Sequence, residues 1–194
     1  MKTARLVVAL ILFVAVAAGT FVLPGHRWDV AVTMWLQRAA PAPDLPSAIL
    51  VFCGDAEVSI PAVALVGLLL WRGALPRART ALWLAAGMIV TSFIALALKF
   101  VVPHPGPPPE FQRVIQRVGL GLQQPYSFPS GHTMRATFFT IAALGRAPLA
   151  GAALVVAMMA ALVYLGDHWT SDVLGGLCLG WACAEAARPF RPGA

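Results

Sequence analysis

The sequence has 194 residues, enough for one domain, of which 59% are hydrophobic and only 11% are charged. Soluble domains carry about 25% charged residues, so the composition excludes a surface that faces water on all sides. The net charge of +6 would suit a nucleic-acid partner. The basic residues are scattered between long apolar runs, however, which excludes nucleic acid and is typical of membrane proteins.

Six apolar runs predict an all-α fold, a bundle of six transmembrane helices in a single membrane-embedded domain, residues 1–194. A span needs about 20 residues, and the first, second, third and fifth runs reach the usual range. The fourth and sixth are shorter, and we interpret them as spans that begin below the outer interface. The runs cover residues 6–23, 48–71, 81–102, 133–144, 149–165 and 173–187.

The first run allows two interpretations, because Lys2 and Arg5 precede it and small residues lie near its end. These features are shared by a cleaved signal peptide and by an uncleaved first span. At about 18 residues the run is longer than a typical cleaved core. We therefore interpret it as a span that stays in the protein.

The distribution of basic residues predicts the orientation of the spans. With the N-terminus in the cytoplasm, the inner side receives eight basic residues and the outer side four, as the positive-inside rule requires. We therefore expect a bacterial inner-membrane protein with both termini in the cytoplasm. The long loop between spans three and four, residues 103–129, then lies outside. All the histidines lie on that side too: His26, His104, His132 and His168.

Three polar patches on the outer side combine residues that packing does not require. They are Lys99 with His104, the segment SFPSGH at 127–132, and the segment GDHWTSD at 166–172. In the second patch, proline and glycine expose backbone N–H groups at a helix N-terminus, where the dipole favours an anion. Ser130 adds a donor and His132 can give a proton to a leaving oxygen. Alternatively, the serine only caps the helix and the histidine lies at the interface.

His168 and Asp172 are four residues apart, so one helical turn brings them to the same face. A carboxylate on one ring nitrogen fixes the tautomer and leaves the other nitrogen as a nucleophile. Alternatively, Asp172 only caps the sixth span and His168 is an interfacial ring. Both alternatives are weakened because two histidine patches occur on one side of a small bundle.

The three patches together resemble the type 2 phosphatidic acid phosphatase superfamily. In that family a lysine-containing segment, a Pro-Ser-Gly-His segment and a segment ending His-x-x-x-Asp occur in this order. SFPSGHT at 127–133 and VYLGDHWTSDVLG at 163–175 match the second and third segments, and the similarity covers residues 99–172. The resemblance implies a membrane phosphatase that works through a phosphohistidine.

The resemblance also implies a role for each matching residue. His168 is the expected nucleophile, Asp172 orients it, and His132 protonates the leaving oxygen. The residues expected to hold the phosphoryl oxygens are Lys99, Ser130 and the backbone of Gly131.

Two positions depart from the family pattern. The first segment usually reads Lys, six residues, then Arg-Pro, and here Gly106 replaces that arginine. The third usually opens with Ser-Arg, and here Ala161 and Leu162 take those places. Each lost phosphate-binding donor costs a few kcal/mol of transition-state stabilisation. His104 and Arg135, both on the outer side, are the expected replacements in phosphate binding.

Arg135 lies inside the fourth span, where a charge is costly, so we expect it to face the bundle interior. The alternative is that it extends toward the headgroups. Asp55 and Glu57, near the outer end of the second span, could pair with it or face water.

The short fourth and sixth spans predict a recessed site. Twelve to fifteen helical residues reach about 18–23 Å, less than a hydrocarbon thickness of about 30 Å. His132 and His168 would then lie at headgroup depth, where a lipid phosphate can arrive laterally.

The leading hypothesis is therefore a lipid phosphatase without metal or cofactor, acting at an outward-facing site in the bilayer. Polyprenyl diphosphate, phosphatidylglycerol phosphate and phosphatidic acid are the expected substrate types. One alternative is a phosphotransferase that uses the same histidine. Another is a non-catalytic lipid-binding or scaffold protein. Cys53, Cys178 and Cys183 have no metal-ligand spacing to histidine, and we interpret them as packing residues.

Overall fold

A computed structural model describes residues 2–22, 27–39, 44–113, 126–144 and 147–192. Within these ranges every regular element is helical, which confirms the predicted all-α class. Two 3-10 turns cover Pro109–Phe111 and Arg188–Phe190. The α-helices are α1 (Lys2–Val22), α2 (Arg27–Ala39), α3 (Asp44–Gly54), α4 (Ala56–Leu70), α5 (Leu75–Leu98), α6 (Gly131–Ala143), α7 (Pro148–Tyr164) and α8 (Thr170–Ala187).

The predicted spans fall on α1, on α3 with α4, and on α5, α6, α7 and α8. In the described part of the chain, two helices are long and apolar enough to cross a membrane, Thr3–Phe21 and Leu75–Leu98. A third span results if α3 and α4 are counted together. Helices α6, α7 and α8 have 13, 17 and 18 residues. The count of six crossings therefore stays a prediction.

The predicted second span is broken at Asp55. Helix α3 ends one residue before it, α4 begins one residue after it, and the two helices differ in direction by 58°. The Asp55 carbonyl accepts hydrogen bonds from the backbone N–H groups of Val58 and Ser59, at 3.1 and 2.8 Å. Because backbone polar groups at the break are satisfied locally, the bend is compatible with an apolar environment. The bend turns the Asp55 side chain toward α6.

Helix α2 was not predicted, because polar residues interrupt the apolar pattern of its sequence RWDVAVTMWLQRA. Its buried face carries Asp29 and Thr33, while Trp35 is 66% exposed. A helix with a polar, buried acid and an exposed tryptophan fits a position at the membrane surface. It brings a carboxylate to the end of the bundle where α8 begins.

Helix α6 packs closely against α8, with α5 and α7 on its other sides. Two glycines of α8 permit the approach: a Cβ at Gly176 would lie 2.5 Å from the Ser130 carbonyl oxygen, and a Cβ at Gly180 would lie 2.5 Å from that of Met134. A larger residue at either position would push the helices apart. This close packing brings the N-termini of α6 and α8, and their histidine segments, to one end of the bundle.

Candidate active site

The His168 ring is held beside Asp172 at the start of α8. Nδ1 of His168 lies 3.2 Å from Oδ2 of Asp172, and the same oxygen accepts a 2.9 Å hydrogen bond from the Trp169 N–H. Asp172 is fully buried and His168 is 7% exposed. Since Nδ1 faces the carboxylate, Nε2 is the ring nitrogen that points away from it. This is the arrangement that a histidine nucleophile requires.

His132 lies in the first turn of α6, where Ser130 is the N-cap. Oγ of Ser130 accepts from the N–H and the hydroxyl of Thr133, at 3.4 and 3.3 Å. The His132 ring meets the His168 ring edge to face, with the centroids 6.4 Å apart. A phosphoryl group bonded to one ring is therefore within reach of the other.

The two histidine segments are also joined through their backbones. The N–H of Ser130 donates a 3.0 Å hydrogen bond to the carbonyl oxygen of Asp172. The helix N-terminus at Gly131 thus lies against the turn that carries His168. N–H groups at such a terminus suit a phosphoryl oxygen.

Asp55 is the partner of His132. Oδ1 of Asp55 lies 2.6 Å from Nε2 of His132, and both side chains are partly exposed. The sequence suggested Asp55 as a partner for Arg135. Asp55 and Glu57 do lie within electrostatic range of that arginine. The short contact to His132 was not predicted, because it depends on the break between α3 and α4.

Arg135 faces the interior of the bundle and is 6% exposed. Its Nη2 donates to the Gly54 carbonyl oxygen at 2.8 Å, and its Nη1 donates to Oγ of Ser92 at 3.3 Å. Its Nε makes no hydrogen bond within the described residues. A Cβ at Gly131 would lie 3.2 Å from Nη1. The guanidinium therefore reaches the N-terminus of α6, and its Nε–H is not used by the described residues.

Lys99 follows directly after α5 and lies within electrostatic range of both Asp172 and Arg135. Ser130, Gly131 and Arg135 thus lie at the start of α6 beside His132, and Lys99 lies within electrostatic range of Arg135 and Asp172. Their role as phosphate ligands stays a prediction.

His104 is placed differently from the other expected phosphate ligands. Its ring is 1% exposed, and Nδ1 lies 3.2 Å from Oδ1 of Asp172. Its Nε2 lies 3.3 Å from Oγ of Ser171. Both nitrogens therefore face protein groups, on the side of Asp172 opposite His168. The expected role of His104 in phosphate binding stays a prediction, and this geometry also suits a role beside Asp172.

The first part of the loop between α5 and α6 packs against the turn between α7 and α8. Nε1 of Trp169 donates to the Pro105 carbonyl oxygen, and the Arg113 N–H donates to that of Leu165, each at 3.0 Å. Gly166 has a φ of +72°, and a Cβ there would collide with the Phe111 backbone. The loop thus holds His104 beside the site, while residues 114–125 lie outside the described residues.

The two positions that lack arginine lie in different environments. Leu162 is fully buried in a cluster with Val51 and Met158. Gly106 is exposed, and a Cβ there would make an ordinary contact with Ser127 at 3.4 Å. A larger side chain would therefore fit at position 106, whereas at position 162 it would have to displace packed apolar side chains.

A cavity of about 270 Å³ adjoins the site. Apolar side chains of α3 to α7 form most of its wall, and Arg135, Gly54 and Ser59 contribute to it. Cys53 is exposed and Leu154 is 37% exposed on its rim, so the cavity opens toward the lipid-facing surface. An apolar cavity with one buried cation suits a lipid near its headgroup.

Among the described residues, no group of three or more histidine, cysteine, aspartate or glutamate side chains could hold a metal ion. The sequence did not indicate Asp29, which contacts Ser171, or Ser92, which accepts from Arg135. For Asp55 the sequence offered one signal, a charged residue inside an apolar run.

Comparisons with known proteins agree with this geometry. No curated protein sequence matches the chain. A solved structure matches over 96% of this chain and 95% of its own, with a TM-score of 0.76 and 19% identity: a transmembrane PAP2-type phosphatidylglycerolphosphate phosphatase from Bacillus subtilis. That likeness concerns the fold. The PAP2 superfamily matches residues 80–193, more than half of the chain, and the protein therefore belongs to the PAP2 superfamily.

Proposed function

We propose that this protein is a membrane lipid phosphatase that forms a phosphohistidine at His168. The observation that carries the proposal is the pairing of His168 with Asp172. The centroid of the His132 ring lies 6.4 Å from that of the His168 ring. A nucleophile oriented by a carboxylate, beside a second histidine, is the arrangement for phosphoryl transfer in two steps. Membership of the PAP2 superfamily supports the same chemistry.

In the first step, Nε2 of His168 attacks phosphorus, and a nitrogen–phosphorus bond forms. The bond from phosphorus to the lipid oxygen breaks, and His132 gives that oxygen a proton. In the second step, water attacks phosphorus and gives a proton to His132, and the electron pair of the nitrogen–phosphorus bond returns to Nε2. Inorganic phosphate then leaves. Asp172 orients the ring and balances its positive charge while it carries the phosphoryl group.

The non-bridging oxygens need positive charge and N–H donors throughout both steps. We assign this role to Lys99, Ser130, the N–H at Gly131 and Arg135. The Nε of Arg135 makes no hydrogen bond within the described residues, which supports a role for this arginine in binding those oxygens.

We propose a lipid as the substrate, from the class of polyprenyl diphosphate, phosphatidylglycerol phosphate and phosphatidic acid. The apolar cavity beside Arg135 supports this class, since a hydrocarbon chain can enter it while the phosphate meets the histidines. The Bacillus subtilis protein of the same fold is a phosphatidylglycerolphosphate phosphatase.

We further propose six membrane crossings, with both termini in the cytoplasm of a bacterial inner membrane and the site facing outward. The eight-to-four bias of basic residues supports this orientation. The lengths of α6, α7 and α8 fit short helices that begin below the outer interface.

Phosphate release from purified protein in detergent, with chelator present, tests the function. We expect release from long-chain lipid phosphates that exceeds release from p-nitrophenyl phosphate and is lost in His168→Ala. A folded protein that releases phosphate from no substrate would contradict the proposal. Transfer of the phosphoryl group to an added lipid alcohol, dependent on His168, would instead identify a phosphotransferase. Loss of activity with chelator would contradict metal independence.

A further inference from the structure

The carboxylate of Asp172 lies between two imidazole rings. Its Oδ2 faces His168, and its Oδ1 lies 3.2 Å from Nδ1 of His104. Asp172 and His104 are 0% and 1% exposed, so solvent does not reach this contact. Oδ1 of Asp172 thus faces the His104 ring, while Oδ2 faces the proposed nucleophile His168.

The His104 ring continues this chain of contacts to α2. Its Nε2 lies 3.3 Å from Oγ of Ser171 and 4.0 Å from Oδ2 of Asp29. Ser171 in turn donates to both oxygens of Asp29, through its N–H and its hydroxyl, each at 2.8 Å. Asp29 is 1% exposed, and a buried carboxylate needs such partners.

Hydrogen-bonding capacity indicates how Nε2 of His104 is used. A hydroxyl has one proton, and that of Ser171 is given to Asp29, so its oxygen accepts from Nε2 of His104. On the other side of the ring, Nδ1 lies 3.2 Å from Oδ1 of Asp172 and 3.5 Å from Oγ of Ser127. The ring therefore lies between two buried carboxylates.

We propose that His104 is a positioning residue that holds Asp172 in register with His168, and that Asp29 holds His104 in turn. This inference rests on the proposed function, in which His168 is the nucleophile. With Oδ1 facing the His104 ring at 3.2 Å, Asp172 presents Oδ2 to the nucleophile and can balance the charge of a ring that carries a phosphoryl group. His104 and Asp29 thus support the nucleophile through Asp172 and do not bind the phosphate themselves.

The electrostatics of Asp29 agree with this arrangement. Burial raises the pKa of its carboxyl group above the ordinary value, hydrogen bonds from Ser171 lower it, Asp172 raises it and His104 lowers it. The net shift is upward, so the carboxylate depends on its donors and on the neighbouring ring to stay charged.

The backbone of His104 is fixed as well. Its N–H donates to the Val102 carbonyl oxygen at 2.8 Å, and its own carbonyl oxygen accepts from the N–H and hydroxyl of Ser127, at 2.9 and 3.1 Å. Ser127 begins the segment SFPSGH at 127–132, so these hydrogen bonds fix the position of His104 relative to the start of α6.

Steady-state kinetics on a lipid phosphate, with His104→Ala and Asp29→Asn, test the proposal. Partners that orient a reacting histidine through a second group contribute about 10–100-fold, so we expect His104→Ala to lower kcat by that factor while KM changes little. Asp29→Asn should have a smaller effect of the same kind. Thr33→Val is the matched control, since Thr33 is buried one turn further along α2, and it should leave kcat unchanged.

A double-mutant comparison separates positioning from phosphate binding. If His104 acts through Asp172, His104→Ala should cause no further loss of phosphoenzyme formation in an Asp172→Asn background. An equal loss in both backgrounds, or a raised KM at unchanged kcat, would overturn the proposal. If His104→Ala does not fold, His104→Gln with Asp29→Asn gives the same comparison. Full activity of Asp172→Asn and His168→Ala would instead overturn the proposed function itself.

Discussion

The side chain of Asp55 lies 2.6 Å from His132, so each of the two site histidines has a carboxylate of its own. Asp172 reaches His168 from the same helix terminus. Asp55 reaches His132 from the break between α3 and α4, a different part of the chain. The bend in the second span therefore delivers a functional group, which is a frequent reason for broken helices inside membranes.

Asp55→Asn should impair protonation of the leaving group. The carboxylate fixes the orientation of the His132 ring, and general acid catalysis is worth about 10²–10⁴-fold. We expect hydrolysis of an alkyl lipid phosphate to fall by at least about 10-fold, within that contribution. Hydrolysis of p-nitrophenyl phosphate, whose leaving group needs little protonation, should fall much less. Glu57→Gln removes a nearby charge as a control, and an equal effect on both substrates would contradict the assigned role.

His168 should form a phosphoenzyme that is labile in acid and stable in base, because phosphorus on a ring nitrogen is lost when that nitrogen is protonated. His168→Ala should abolish labelling by a radioactive lipid phosphate. His132→Ala should still allow slow labelling from a substrate with a good leaving group, since its main role is proton transfer. Full turnover by His168→Ala would exclude the covalent mechanism.

The helices other than α2 and the His168–Asp172 pair could be predicted because both depend on local sequence. Apolar runs fix where helices lie, and a four-residue spacing brings two side chains together near a helix start. The partners Asp55 and Asp29 could not be predicted in the same way. One depends on a bend inside an apolar run, and the other on a helix whose mixed sequence hides its buried face.

His104 shows the same limit. Its sequence position, two residues before Gly106, suggested a substitute for the missing arginine. The path of the loop instead turns its ring to the far side of Asp172. Contacts between a proline-rich loop and a helix terminus are set by tertiary packing, which no local pattern encodes.

The orientation can be measured with single cysteines in a background that lacks Cys53, Cys178 and Cys183. Glu110→Cys, exposed on the outer loop, should react with an impermeant thiol reagent in intact cells. Gly73 lies in the turn between α4 and α5, where an added Cβ would have no heavy atom within 4 Å. Gly73→Cys should therefore react only after lysis. The reverse pattern would place the site on the cytoplasmic side.

Leu154→Trp should narrow the opening of the cavity beside the site. Each methylene kept out of an apolar cavity costs about 0.8 kcal/mol, so excluding two or three should lower kcat/KM for a long-chain lipid phosphate by about 15–60-fold. Hydrolysis of p-nitrophenyl phosphate should be unaffected. Val156→Trp, on the same helix but 63% exposed and outside the cavity, is the matched control. Equal effects of the two variants would show that the chain binds elsewhere.

Arg135 should supply the positive charge that Gly106 and Leu162 no longer provide. Lysine at this position can keep a bond to the Gly54 carbonyl oxygen, but it lacks the planar set of donors that a phosphoryl group needs. We therefore expect Arg135→Lys to fold normally and to lose about 10²-fold or more in kcat. Ser92→Ala removes one existing partner of the guanidinium as a control and should cost much less.

Two further variants complete the test of Arg135. Arg135→Ala should lose both activity and thermal stability, because the guanidinium also ties α6 to the end of α3. Leu162→Arg restores the family residue, but Leu162 is fully buried in an apolar cluster, so the arginine should lower the yield of folded protein instead of rescuing Arg135→Lys. Rescue by Leu162→Arg would mean that α7 can rearrange to bring that side chain to the phosphate. Near wild-type turnover in both Arg135→Lys and Arg135→Ala would show that Arg135 takes no part in binding the phosphoryl group.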